Sequence, residues 1–165
     1  ARAYQRIFSK LPILTSLDAT WSGIHLVYDV LPPGEIQETA AAQHGIAIHT
    51  NLATPTQANR MIDDQIRQEQ IREGDMIITP ASVRTSAQWS TSGDIIFLGF
   101  DPAELTRTIE QNFEISSAEL IPHFATADPL VHQIGLALKS ALQNDGAGSR
   151  LYAETMATAL IAHLL

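Results

Sequence analysis

The side chains in this sequence able to do chemistry are its histidines, two arginines and one carboxylate pair. Histidines stand at 25, 44, 49, 123, 132 and 163. A metal needs three or four such ligands converging on one point. No His-x-His or His-x-x-x-His spacing occurs. His44 and His49 are five apart, so on one strand they face opposite ways. His25 and His49 can meet across neighbouring strands, but no nearby Asp or Glu completes a set. No metal or other cofactor is therefore expected. Asp63-Asp64 is a pair only in sequence: adjacent residues on a strand point to opposite faces, which suits solvated carboxylates better than acid–base work. There is no cysteine, no Gly-x-Ser-x-Gly elbow and no glycine-rich phosphate cradle. What survives is binding. Arg60, Arg84 and His49 can fix a polar or anionic molecule, an arginine fork being suited to a carboxylate. Trp21, Tyr28, Trp89 and Phe97 can supply an apolar wall.

The bulk properties agree with a binding domain. The chain has 165 residues, enough for one domain or one domain with an appendage, and 45% of them are hydrophobic. A net charge of −8 repels phosphate, so these residues are a poor surface for nucleic acid or anionic lipid. No apolar run approaches the roughly 20 residues that span a bilayer, so no membrane partner is expected. The lack of cysteine fits a reducing, cytoplasmic setting. The chain opens on Ala1 and closes inside the apolar run Ala159-Leu160-Ile161-Ala162-His163-Leu164-Leu165, which reads as a piece of a longer protein.

The elements that must position these residues are strands first and helices later. Gly74-Asp75-Met76-Ile77-Ile78-Thr79-Pro80-Ala81 is a Gly-Asp turn, an apolar strand and a proline stop, and a polar strand then returns through Arg84 to Trp89. The pattern recurs from Gly93-Asp94 to Phe100. Alternation predicts strands over 21–30 and 44–51, and Leu31-Pro32-Pro33-Gly34 breaks the first. The segment 2–16 reads as a short strand or arm, and 35–42 is too mixed to assign. A single polar strand is expected from Arg60 to about Gln68. Six or so short strands suggest a barrel or sandwich.

After Phe100 the pattern turns helical. Asp101-Pro102-Ala103-Glu104 is a helix start, giving a short helix over 101–112. A last strand is expected over 119–124. Asp128-Pro129 opens a second helix to about Asn144, with Leu130, Ile134, Leu138, Ala141 and Leu142 on one face. Ser149 is read as the cap of a third helix, apolar over most of its circumference. Such a helix must be buried on more than one side, and a contact between two copies would cover the surplus. Leu138, Leu142, Tyr152, Met156, Leu160 and Leu164 are the expected dimerisation residues.

Three stretches together resemble a known family. Trp21-Ser22-Gly23-Ile24-His25-Leu26 with Pro32-Pro33-Gly34 is similar to the opening strands of the cupin-like sensor domain in AraC-type transcription regulators. Gly74 to Ala81, then Trp89, resembles its central strand and return. Asp128-Pro129-Leu130 and Ser149 to Leu165 resemble the helical segment joining that sensor to the DNA reader. The resemblance covers about 21–165. It implies a jelly-roll ligand sensor, a helical dimerisation element and a C-terminal pair of helix-turn-helix units, of which this chain has only the first two. The chain departs from metal-dependent cupins, which carry a His-x-His set with a Glu and a later His. Where many relatives have a His after the Pro-Ala turn, this chain has Arg84, which hints at a more anionic effector than a sugar.

The expected fold is therefore mainly β plus α: a cupin-like jelly-roll barrel over 1–124, including the short helix 101–112, then a helical dimerisation and linker segment over 125–165. The expected function is effector binding and dimerisation in a transcription regulator. A small molecule sits in the barrel, the protein is a homodimer, and DNA is bound only through a C-terminal domain absent here. The alternative is a cupin-type enzyme acting on a small polar metabolite; a module for binding another protein through the apolar helix is a third reading.

Overall fold

Two antiparallel sheets and four α-helices make up the described part of the structure, a computed structural model that describes residues 2–8, 10–19, 21–115, 119–144 and 146–165. The chain begins with helix α1 (Arg2–Phe8), followed by a two-residue strand β1 (Leu14–Thr15). The stretch expected to be a strand or arm is thus mainly a helix; Ser9, within it, lies outside the described residues. Then come β2 (His25–Leu31), β3 (Gly34–Ala40), β4 (His44–Asn51), β5 (Thr56–Ile62), β6 (Gln65–Ile71), β7 (Asp75–Thr79), β8 (Arg84–Trp89) and β9 (Gly93–Phe100). Helix α2 (Pro102–Asn112), strand β10 (His123–Ala127) and helices α3 (Pro129–Gln143) and α4 (Ser149–Leu164) complete the chain.

One sheet runs β1-β2-β9-β4-β7-β10 and the other β3-β8-β5-β6. Strands β2 to β9 thereby form two four-stranded faces, β2-β9-β4-β7 and β3-β8-β5-β6, the order of an eight-stranded jelly roll. The fold is mixed β and α, mostly antiparallel, with a barrel core.

Two expectations on strands are corrected. The polar segment after Arg60 is not one strand but the two arms of a hairpin, β5 and β6, paired from Thr56↔Ile71 to Ile62↔Gln65. Asp63 and Asp64 are its two-residue turn, with φ of 50° and 66°. A tight hairpin of this kind needs positive φ at both turn positions, and Asp tolerates that region better than most residues. The pair is therefore a turn device rather than a strand pair. The last strand lies over His123–Ala127, later than expected, because its backbone pairs with β7 through Thr126↔Met76 and Ala127↔Asp75.

The larger core lies between the six-stranded sheet and the helices. Leu26, Ile46, Ile48, Ile78, Ile96 and Leu98 turn outward from the barrel and meet Val131, Ile134 and Leu138 of α3. Gly135 permits this approach: a Cβ there would stand 2.6 Å from Ile48 Cδ1. Asp128 caps α3, accepting from the Val131 amide at 3.0 Å, and also meets His163 Nε2 of α4 at 2.8 Å. Leu130, expected on the apolar face, is instead exposed. The N-cap of α4 is Gly148, not Ser149; the Ser149 hydroxyl is turned inward and accepts from Trp21 Nε1 at 2.6 Å. A smaller cluster, Ala58, Ile62, Ile71, Ile77 and Phe124, fills the barrel interior.

Candidate functional site

Strand parity divides the expected site residues. In β4, Ala47 and His49 face into the barrel while Ile46 and Ile48 face the helices; in β9, Ile95 and Phe97 face inward. In β8, Ala87 and Trp89 face inward, so Arg84 cannot. His49, Arg60, Trp89 and Phe97 consequently meet around one cavity of about 50 Å³, together with Thr56, Ile71, Ile77 and Thr91. The indole Nε1 of Trp89 donates to the Pro32 carbonyl at 2.8 Å, which pins the ring at the cavity wall.

The other three residues lie elsewhere. Arg84 is exposed and pairs with Glu38 at 2.9 Å and with Asp64 in the hairpin turn. It belongs to the outer face, so the anionic preference argued from it has no site to act on. Trp21 sits in the core between sheet and helices. Tyr28 also faces the helices: Lys139 Nζ lies 3.6 Å from its ring centroid and its hydroxyl donates to Asp94 at 2.6 Å. That carboxylate and partial burial push the Tyr28 hydroxyl up to about 12.

Arg60 has a partner that the single-strand reading concealed. Its Nε donates to Glu69 Oε2 at 3.0 Å, with both side chains nearly out of solvent. Glu69 Oε1 accepts from the Ala125 amide at 2.6 Å, bridging β6 to β10. Burial lowers the Arg60 pKa, and the Glu69 carboxylate works against that fall. Burial, reinforced by the Arg60 charge, lowers His49 to about 4, the Asp75 backbone carbonyl pulling weakly the other way. The imidazole is therefore neutral near pH 7. Its Nδ1 is buried with no partner, so the contact with the Asp75 carbonyl falls to Nε2 and the Nδ1 lone pair is left free. Thr91 Oγ1 is likewise buried and unpartnered. Thr91 gave no signal in the sequence, because a lone threonine in a turn has no spacing to read.

Helix α1 closes one side of the barrel. Phe8 packs on Phe97 and Trp89, with ring centroids 5.8 and 6.5 Å apart. The Tyr4 hydroxyl donates to Asp29, a carboxylate 1% exposed that also meets Lys10 Nζ at 3.1 Å. These α1 aromatics back two walls of the cavity, Trp89 and Phe97, and the space of about 50 Å³ is far below the roughly 300–1,000 Å³ of drug-sized ligand sites.

Among the described residues no group of three His, Cys, Asp or Glu is placed to hold a metal ion. Among the described residues no helix is long and apolar enough to cross a membrane. His44 shows one structural use of a histidine: its Nδ1 accepts from the Ala81 amide at 2.9 Å and holds the turn after β7.

The expected dimerisation residues also separate. Leu138, Leu142 and Leu160 are buried in the chain's own core, while Tyr152 is exposed and Met156 and Leu164 are partly so. Burying Leu160 and Ile161 against the chain itself takes up much of the surplus apolar surface of α4. Leu151 and Tyr152 remain outside, Leu151 at 69% exposure.

No protein-family profile matches this chain, and no curated protein sequence matches it. Solved structures similar to it include a cupin 2 conserved barrel domain protein from Salinispora arenicola, at 17% identity and TM-score 0.41, over 58% of this chain and 77% of that one. Protein NMB1881 from Neisseria meningitidis matches at 14% identity and TM-score 0.42, over 61% and 98%. Oxalate decarboxylase from Bacillus subtilis matches at 18% identity and TM-score 0.42, over 59% of this chain and 29% of that one. The likeness is one of fold.

Proposed function

We propose that this chain is the effector-sensing and dimerisation domain of an AraC-type transcription regulator, without catalytic activity of its own. The observation that carries the reading is the cavity: a small, mostly apolar space inside the barrel whose lining includes His49 and Thr91, each with a buried polar atom, Nδ1 and Oγ1, that has no partner. A buried polar atom without a partner costs about 1–3 kcal/mol, and a ligand that satisfies it recovers that cost.

The strands lining the cavity are also those on which α3 rests. Ile48, one residue from His49, touches Gly135, and Asp94, one residue from the lining Gly93, holds Tyr28 beneath Lys139. A ligand that shifts β4 or β9 thus acts on α3, and through it on α4. Coupling of about 1–3 kcal/mol is enough for a usable switch. The exposed face of α4, around Leu151 and Tyr152, is the surface a second copy would cover; DNA is then reached through a further domain.

Sedimentation equilibrium tests the assembly. A dimer that Leu151→Arg converts to a monomer supports the reading, and a strict monomer at high concentration contradicts it. One observation favours an enzyme as the second reading: His49, neutral and with an unpartnered Nδ1, is a base in the cavity wall. Turnover of a small polar metabolite, abolished in His49→Gln, would establish that reading instead.

A further inference from the structure

We propose that the molecule held in the barrel is a small uncharged carboxamide or urea, bound between Arg60, His49 and Thr91. This deepens the sensor reading and rests on it. Three observations select the class.

The first is charge. Arg60 is already neutralised by Glu69 at 3.0 Å, both side chains being nearly out of solvent. His49 is neutral. Arg60 is the charged residue in the cavity lining, and Glu69 behind it balances that charge, so the pair adds no net charge to the site. A carboxylate entering would meet an Arg60 already paired with Glu69 and lose its hydration without a net counter-charge, which is unfavourable in a buried site. An ammonium group would meet the same balance with the signs reversed.

The second is the set of unused hydrogen-bonding groups. His49 Nδ1 has no partner and accepts when the ring proton is on Nε2. Arg60 bonds Glu69 through Nε, and its terminal NH groups make no hydrogen bond among the described residues. Those groups can only donate. Thr91 Oγ1 can do either. The complementary ligand offers an N–H donor and a carbonyl acceptor side by side. A carboxamide does so: its NH₂ donates to His49 Nδ1 and its oxygen accepts from Arg60 and Thr91. An alcohol carries its donor and its acceptor on a single atom, whereas the amide separates them.

The third is size. A cavity of about 50 Å³ holds roughly four water-sized groups. Acetamide and urea have four heavy atoms each.

The test is amide NMR of the assigned 165-residue chain titrated with millimolar acetamide, urea, acetate and methylammonium, each in turn. The expected result is that acetamide and urea shift the amides of His49, Thr91 and Phe97, whereas acetate and methylammonium do not. Thr91→Val, which keeps the shape and removes the hydroxyl, is expected to weaken acetamide about tenfold. Glu69→Gln is expected to reverse the preference, since Arg60 then has no counter-charge and acetate gains. Acetate binding more tightly than acetamide at the same barrel amides would overturn the ligand class while leaving the barrel as the effector site. Acetamide shifting only amides outside the barrel, or shifting none, would overturn the class as well; shifts of barrel amides by an unrelated metabolite would still support the sensor reading.

Discussion

Arg60 and Glu69 face each other across the β5–β6 hairpin inside the barrel, Nε to Oε2 at 3.0 Å, on strands whose direct partners there are Arg67 and Ala58. The contact is therefore diagonal, and it places the only inward carboxylate of β6 beside the arginine that lines the cavity. Breaking such a buried pair leaves one uncompensated charge. Glu69→Ala should lower stability by about 3–5 kcal/mol, whereas replacing both partners with apolar residues of similar volume should come out near neutral. Urea unfolding of the two variants measures the difference.

The hydroxyl of Tyr4 ties α1 to the barrel through Asp29. A hydrogen bond to a charged group is worth about 1.5–3 kcal/mol, and burial with the Asp29 bond holds the phenol far above its usual range. Tyr4→Phe should therefore loosen α1 before the barrel. Limited proteolysis is expected to cut the variant within the first 13 residues, and the fluorescence of Trp89, which packs on Phe8, should change at denaturant concentrations where the wild type is intact.

His49 makes stability depend on pH with a defined sign. Its folded pKa of about 4 lies below the unfolded value of about 6.5. Between these values the unfolded chain binds a proton that the folded chain does not. Stability is therefore full above about pH 6.5 and falls as pH drops toward 4, by roughly 3 kcal/mol for this group. His49→Gln should flatten the stability curve over that window. An unchanged slope would place the titration elsewhere.

Ser149 accepts from Trp21 Nε1 at the junction of the barrel and α4, both residues being buried. Ser149→Ala leaves the indole N–H unpaired and should cost about 1–3 kcal/mol. Since the α4 N-cap is Gly148, the loss would appear as global destabilisation in thermal unfolding, not as fraying of the helix.

The alternating strands 44–51 and 93–100 and the Pro-led helices were legible, because period and punctuation are local properties. The β5–β6 hairpin was not: its turn is Asp-Asp rather than the usual glycine pair, so the polar run reads as continuous. Missing that turn hid Glu69. The same alternation that identified β2 could not say which face is the barrel interior, so Tyr28 was assigned to the pocket although its face meets α3. His49, Arg60 and Trp89 converge because three strands far apart in sequence bring them together. Thr91 and α1 complete the site through tertiary contacts alone, which no spacing records.

The central claim, a small effector held in the barrel and felt by α3, is tested most directly by screening small metabolites against the assigned amide spectrum. A binder is expected whose shifts centre on His49, Arg60 and Thr91 and extend to Gly135 and Leu138 in α3. Binders that perturb only the outer face of the sheet or α4, leaving His49 and Thr91 unmoved, would contradict it.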